Sequence, residues 1–386
     1  MILWEIDWRE PAIAFAPLAG EAHAHLLHGG EAAAGAQWSI IAAFPSAVVE
    51  TEKGGGDPFP ALDEALASRA QPKCDLFKGL PFVSGALGFV GYEAARFFEP
   101  SLELPSSPFL LPDVSLGLYD AAALFSRETR KAYLVGRDER ACRRLRGALG
   151  RDGLARAMPA GMAAYGPMRS NFTAGQYRAT VANVIEDILD GAYYQANISQ
   201  QLSVESDTPV SAFDLFRAIA VKSDAPHGAL LQYEKGVIVS NSPERFFRIE
   251  GGAHGARRIV AEPIKGTRPR GDSPESDAAL ARQLLCSPKD RAENIMIADL
   301  LRNDLSRICK DGTIREDDIC ALMSLVNVHH LVSRISGSLR EDVCASDIFA
   351  ALFPCGSVTG APKIAAMKAI ARAESSGRGP YCAAIR

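Results

Sequence analysis

Hydrophobic and polar positions along this chain change period repeatedly, and each change marks an element. The runs Gln37–Phe44 and Ala47–Thr51 are rich in Ile, Val, Trp and Phe and are closed by turn residues, which predicts two strands with the loop 53–58 after the second. Gly85–Tyr92 is apolar throughout and predicts a strand whose glycines let another backbone come close; it lacks the spacing of a dinucleotide loop. Val114–Phe125 and Lys131–Val135 predict further strands, and Asp138–Leu149 turns to a helical period with its basic residues in water. Ala157–Met168 is rich in Ala, Gly and Pro and reads as a connection.

Beyond it, Thr173 is placed to cap a helix whose stripe of Val181, Val184, Ile185 and Ile188 stops at Gly191. Tyr193–Ser199 predicts a strand, and Ala229–Gln232 with Gly236–Ser240 a hairpin that delivers Ser242–Phe246. Asp290–Asp304 is an amphipathic helix, and Val328–Ser333 is apolar around His329 and His330. Near the start, Glu21–His28 is helix-like. His23, His25 and His28 do not share a helical face, so they read as a mixed surface segment rather than a metal cluster.

Composition narrows the class. At 386 residues, with 47% hydrophobic and 23% charged residues, the chain can bury a large core, in two domains or one large α/β unit. A net charge of −4 argues against a general nucleic-acid binder. Acids interrupt the N-terminal ten residues where a secretory leader needs an apolar core, and no apolar run is long enough for a bilayer, so no membrane association is expected. The eight cysteines form no CxxC pair, which suggests neither zinc nor a disulfide framework and makes the cytoplasm the expected compartment.

Candidate chemistry gathers in the second half. Pro263-Ile-Lys-Gly-Thr-Arg-Pro-Arg270 reads as a rigid basic loop presenting Lys265, either a solvated turn or an anion-binding loop with a reactive amine. Asp290 and Glu293 share a face at a helix start, a solvated pair or two ligands for a hard cation. Phe353–Lys363 runs small residues into a helix over Ile364–Ala373, a seat suited to a carboxylate.

Taken together, Pro263–Gly271, Asp290–Asp304, His329–Ser333 and Gly356-Ser-Val-Thr-Gly-Ala-Pro-Lys363 resemble the chorismate-utilising enzymes, from about Phe172 to the end. That family includes anthranilate synthase component I, aminodeoxychorismate synthase component I, and the isochorismate and salicylate synthases. The resemblance implies an α/β (α+β) fold of large antiparallel sheets packed face to face with helices outside. It divides the chain into an N-terminal region, 1–161, and a chorismate-binding catalytic region, 162–386. Within the family, Lys265 matches the aminodeoxychorismate synthases, where anthranilate synthases have Ala. Gln195 stands where relatives that add water carry a lysine base, and Leu27-His28-Gly29 replaces the Leu-Glu-Ser motif that binds feedback tryptophan.

The resemblance therefore implies amination of chorismate to 4-amino-4-deoxychorismate on the way to 4-aminobenzoate and folate, with ammonia from a glutamine amidotransferase partner. Glu244 would be the general acid and Lys265 the nucleophile, its amine kept neutral by desolvation and nearby Arg268. His330 would be the active-site histidine. Gln195, Thr267, Arg268, Gly356, Ser357, Thr359, Gly360 and Lys363 would bind substrate, and Glu293 would hold Mg²⁺. The family pattern continues past Tyr381–Ile385 with a carboxylate-binding Arg and a second metal-ligating Glu, so the catalytic region is expected to be truncated. Anthranilate synthase component I is the sibling alternative. A chain that only binds the amidotransferase is the alternative of another class.

Overall fold

A computed structural model describes residues 1–30, 38–69, 77, 79–151, 165–223, 225–251 and 256–385. The proposed boundary near residue 161 lies outside the described residues. Apolar runs build antiparallel sheets. The largest has seven strands in the order Ile2–Ile6, Lys131–Gly136, Ala121–Ser126, Trp38–Ala42, His25–His28, His227–Tyr233, Gly236–Ser242. It thus takes strands from both sides of residue 161, joined where Leu26 pairs with Leu230. A four-stranded sheet runs Ala384–Ile385, Gly85–Val90, Val114–Tyr119, Ala47–Thr51.

These two sheets pack face to face, as the α/β expectation required. Leu87 and Tyr119 meet Ala42, Leu124 and Val135 in one cluster, and Phe89 meets Ala229 and Leu231 in another. The central strands Gly85–Val90, Val114–Tyr119 and Ala121–Ser126 are buried on both faces; Glu139–Leu149, capped by Asp138, seats Cys142 and Leu145 against the larger sheet. The glycines of Gly85–Val90 serve the close approach expected of them: a side chain at Gly88, φ +152°, would lie 2.1 Å from the Ser115 carbonyl oxygen.

A third sheet carries the chemistry. Strand Val328–Ser338 pairs on one side with Arg257–Ala261 and Ile264–Pro269, and on the other with Arg315–Ser324. Helices Pro288–Ser306 and Ala345–Leu352 close its inner face through Ala298, Leu305, Ile348 and Leu352 against Ile259 and Ile335.

Several expectations are corrected. The basic stretch at 263–270 is not a loop but a strand, because Pro269 falls at its last position and Val328–Ser338 supplies a partner ladder. Glu21–His28 is not helical; Leu26 and Leu27 enter the sheet, and the histidines are not a surface feature, since His25 is fully buried and His28 nearly so. Val114–Phe125 is two strands, turning at Asp120. Tyr193–Ser199 is extended, but only Gln195–Ala196 pairs, with Gly360–Ala361. The Thr173 cap, with Gln176 completing the capping box, and the hairpin of His227–Tyr233 with Gly236–Ser242 are as expected.

His25 supplies a test of the core. Burial, and secondarily the neighbouring His23, lowers its pKa from 6.5 to about 3. The folded state therefore binds fewer protons than the unfolded one. The neutral ring's contribution is complete above pH 6.5 and is lost as pH falls toward about 3, at up to about 1.4 kcal/mol per pH unit. Urea unfolding between pH 7 and pH 4 is expected to show a shallower loss of stability in His25→Phe than in the parent.

Candidate active site

Lys265 owes its position to a bulge. Register shifts between Lys265, opposite Leu331, and Thr267, opposite His330, with Gly266 at φ +83° between them. A Cβ at Gly266 would stand 3.0 Å from Asp290 Cβ and from Leu284 Cδ1. Gly266→Ala is expected to cost about 1–3 kcal/mol of stability, read by urea unfolding, and to displace Lys265.

The Lys265 ammonium, 13% exposed, donates to the Ser357 carbonyl at 2.8 Å and lies 3.4 Å from the Glu293 carboxylate. Gln195 donates through Nε2 to Glu293 at 2.8 Å, and Asn197 donates to the same Ser357 carbonyl at 2.9 Å. Glu244 follows the hairpin end, where the Ser242 hydroxyl bonds its main-chain nitrogen and oxygen. Its carboxylate accepts from the Ser357 hydroxyl at 2.8 Å and the Ile264 amide at 3.4 Å. Burial pushes the Glu244 carboxyl above its ordinary pKa, opposed by Ser357, Ile264 and Lys265. A carboxyl kept protonated toward neutral pH in this way is suited to general-acid work.

The segment 356–361 reaches this point because small residues permit it. A Cβ on Gly356 would fall 2.4 Å from Leu300 Cδ2, and one on Gly360 would fall 2.0 Å from the Gln195 carbonyl oxygen. Residues Gly356–Thr359 form a single helical turn in which the buried Thr359 hydroxyl donates to the Cys355 carbonyl at 3.1 Å. His330 is nearly buried, its Nδ1 3.0 Å from the Thr267 hydroxyl, and burial lowers its pKa.

Two candidate residues are turned elsewhere. Arg268 does not stand over Lys265; its guanidinium binds Asp290 at 3.0 Å and Gln283 at 3.1 Å, so the charge beside Lys265 is the Glu293 carboxylate. That pairing also withdraws Asp290 from any cation shared with Glu293. Lys363 starts the last long helix, Lys363–Ala373, and pairs with Asp304 at 2.7 Å, donating also to the Leu352 carbonyl at 3.0 Å. Its ammonium joins two helices rather than facing Lys265. Glu244 does not pair with its neighbour either, for Arg245 bonds Glu262.

Residues the sequence reading passed over complete the site. Asn197 lies two positions after Gln195, so the alternation of an extended segment already put them on one face. Asn294, fully buried, donates to the Leu331 carbonyl at 3.0 Å and accepts from the Ser333 hydroxyl, fixing the helix that carries Glu293 against the central strand. Nothing in the sequence marks it apart from an ordinary polar helix position. Arg378 bonds Glu374 at 2.7 Å and the Val358 carbonyl at 3.2 Å, backing the 356–361 segment.

An amine and a carboxyl converge on Ser357, on a sheet that matches the fold implied by the motifs. A profile of chorismate binding enzymes matches residues 25–386. The chain belongs to the chorismate-binding enzyme family. Aminodeoxychorismate synthase component 1 of Escherichia coli (strain K12) is 33% identical over 398 residues, covering 100% of this chain and 85% of that protein. Anthranilate synthase component 1 of Streptomyces coelicolor (strain ATCC BAA-471 / A3(2) / M145) is 36% identical over 406 residues, covering 98% and 76%. The crystal structure of anthranilate synthase component I from Streptococcus pneumoniae TIGR4 superposes with a TM-score of 0.76 at 26% identity, over 92% of this chain and 80% of that one. As a member of this family the chain is a chorismate-utilising enzyme of mixed α/β fold. Among the described residues no helix is long and apolar enough to cross a membrane.

Among those residues, too, no group of three or more His, Cys, Asp and Glu side chains is placed to hold a metal. The donors are oxygens: the Glu293 carboxylate and the amide oxygen of Gln195, which turns its amide nitrogen to Glu293 and leaves that oxygen buried with no hydrogen-bond partner among the described residues. That set fits a hard cation that keeps much of its water and takes its remaining ligands from substrate.

Proposed function

We propose that this enzyme is an aminodeoxychorismate synthase component I, a transferase that aminates chorismate to 4-amino-4-deoxychorismate. The observation that carries the proposal is Lys265, held at the point where Glu293, Ser357 and, through Ser357, Glu244 converge. Chorismate is a dicarboxylate whose C4 hydroxyl leaves poorly. Glu244 gives that hydroxyl its proton, so that it departs as water. Lys265, its ammonium proton first lost to solvent, bonds to C2 through the free amine as the ring double bonds shift toward C4. Ammonia then bonds at C4, the double bonds shift back, and the lysine is released.

Gln195, Thr267 and the Gly356–Gly360 segment orient the substrate, with His330 at the edge of the site. Mg²⁺ would be held by Glu293 and would neutralise the ring carboxylate. Ammonia would come from a glutamine amidotransferase partner. The 36% identity to an anthranilate synthase favours a sibling reading, in which the product is anthranilate and pyruvate is lost.

Product analysis separates these readings. The purified chain is incubated with chorismate, Mg²⁺ and ammonium, and products are identified by mass spectrometry. Aminodeoxychorismate is expected. Anthranilate would move the enzyme to the sibling reaction. A folded chain that binds an amidotransferase without turnover would overturn both in favour of a partner-binding role.

A further inference from the structure

We propose that Ser324, His329 and Asp277 form a second reactive centre, in which Ser324 takes an acyl group from activated esters. His330 borders the site around Lys265; its neighbour His329 does not. Consecutive residues of a strand point to opposite faces, and His329 turns to the helix Pro274–Leu285, which carries Asp277. Register brings the three groups together. Ser324, at the end of the strand Arg315–Ser324, stands directly opposite His329 across the ladder. Its Oγ lies 2.8 Å from His329 Nδ1, and His329 Nε2 lies 2.9 Å from Asp277 Oδ1. Asp277 is fixed in turn: Arg270 donates to its two oxygens at 2.7 and 2.8 Å, and the Gly271 amide donates to Oδ1 at 2.9 Å. Glycine is needed at 271, since a Cβ there would fall 2.2 Å from the Asp277 main-chain nitrogen.

A single hydrogen bond at a hairpin end would be ordinary. Here the bonds run on to a fixed carboxylate and give each group a role. Arg270 holds the Asp277 carboxyl well below the usual carboxylate range, so it is ionised and can only accept. In the neutral ring the hydrogen therefore sits on Nε2, and the Nδ1 lone pair faces the Ser324 hydroxyl. That is the order of nucleophile, base and orienting acid that activates a serine, with the nucleophile on Nδ1. His329 is 2% exposed whereas Ser324 is exposed, so the base is shielded and the nucleophile is open to a reagent.

In the step, a lone pair of Ser324 Oγ bonds to the ester carbonyl carbon while the hydroxyl proton passes to Nδ1, and Asp277 stabilises the imidazolium that forms. The bond from carbon to the leaving oxygen then breaks with its electron pair, and that oxygen takes the proton back from Nδ1. An acyl-serine and a free alcohol result, and His329 is neutral again. Because Ser324 is exposed, solvent reaches the developing oxyanion, and solvent is a weaker stabiliser than fixed donors. A good leaving group must make up the difference, which limits the substrate to esters of acidic alcohols such as phenols. Leu322, on the same face of the strand as Ser324, and Val326 in the turn beyond are exposed and favour a small apolar acyl group.

The test uses p-nitrophenyl dimethylcarbamate, an activated ester whose acyl-serine is slow to hydrolyse. The whole chain is incubated with it in the absence of chorismate, and modified serines are located and followed in time by peptide mass spectrometry. Ser203, exposed on the strand Leu202–Ser203, is the internal reference. Ser324 is expected to react on the order of 10²-fold faster than Ser203. His329→Gln is expected to bring Ser324 down to the reference rate, and Asp277→Asn to slow it by at least about tenfold. A folded parent in which Ser324 reacts no faster than Ser203 would overturn the proposal, as would a folded His329→Gln or Asp277→Asn variant that keeps the parent's rate. The comparison within the parent needs no variant, so the proposal stays testable if a change at the buried histidine unfolds the chain. Chorismate takes no part in the labelling, so a failed product assay and an unlabelled Ser324 are separate results.

Discussion

Lys265→Ala is expected to abolish any covalent adduct with chorismate and to lower the amination rate on the order of 10³-fold or more. The fold should survive. Lys265 holds its strand through a main-chain ladder with Val328–Ser338, and its side chain reaches out of that ladder to Glu293 and Ser357. What the variant loses is the amine, together with the positive charge that faces Glu293. Intact-protein mass spectrometry after mixing with chorismate should show an adduct on the parent and none on the variant. Because the resemblance places alanine here in the anthranilate synthases, the variant's residual product is the informative quantity. A residue that had only bound an anion would leave the amination rate within a small factor of the parent's, and that result would remove the nucleophile from the mechanism.

The second large effect belongs to Glu244. Glu244→Gln keeps the size and the acceptor for Ser357 and Ile264 but cannot supply a proton; chorismate turnover is expected to fall by about 10²–10⁴-fold. The sign of the pH dependence follows from the direction of the shift. Burial raises the carboxyl's pKa, so its protonated, active form persists above the ordinary carboxylate range and disappears as pH climbs through the raised value. In the parent, kcat should therefore decline on the alkaline side with this group, and in Glu244→Gln the residual rate should lack that decline. A glutamine variant with the parent's rate and the parent's alkaline limb would assign the acid to another group.

Much of this site is legible in the sequence, and the parts that are not share a cause. Lys265, Gly266, Glu293 and the run Gly356–Gly360 could be picked out because their local chemistry is uncommon: a lysine beside a glycine between prolines, acids at a helix start, a string of small residues. The stretch 263–270 reads as a loop, since Pro and Gly argue for one, and the ladder that makes it a strand comes from Val328–Ser338, far along the chain. Arg268 and Lys363 carried the right charge, but their acids, Asp290 and Asp304, sit on a helix whose facing is set by packing. His25 was misread for the same reason, because a period that suits a helix was decided by neighbouring strands. Asn294 gave no signal, as its partners Leu331 and Ser333 are met only across the sheet.

The sharing of one sheet between the two halves of the chain bears on how the molecule is made. Strand His25–His28 has His227–Tyr233 as its neighbour, and Gln232 donates to the Leu18 and Glu21 carbonyls. During synthesis the early strands emerge long before that partner does. Until then the apolar edge at Leu26 and Leu27 lies open, a template for pairing with another chain. The closing contacts span some two hundred residues of sequence, a long loop to close and a slow kind of step. Assembly of the large sheet thus waits on translation of the segment that leads directly into Glu244, so that completing the core and delivering the acid to its site are one event.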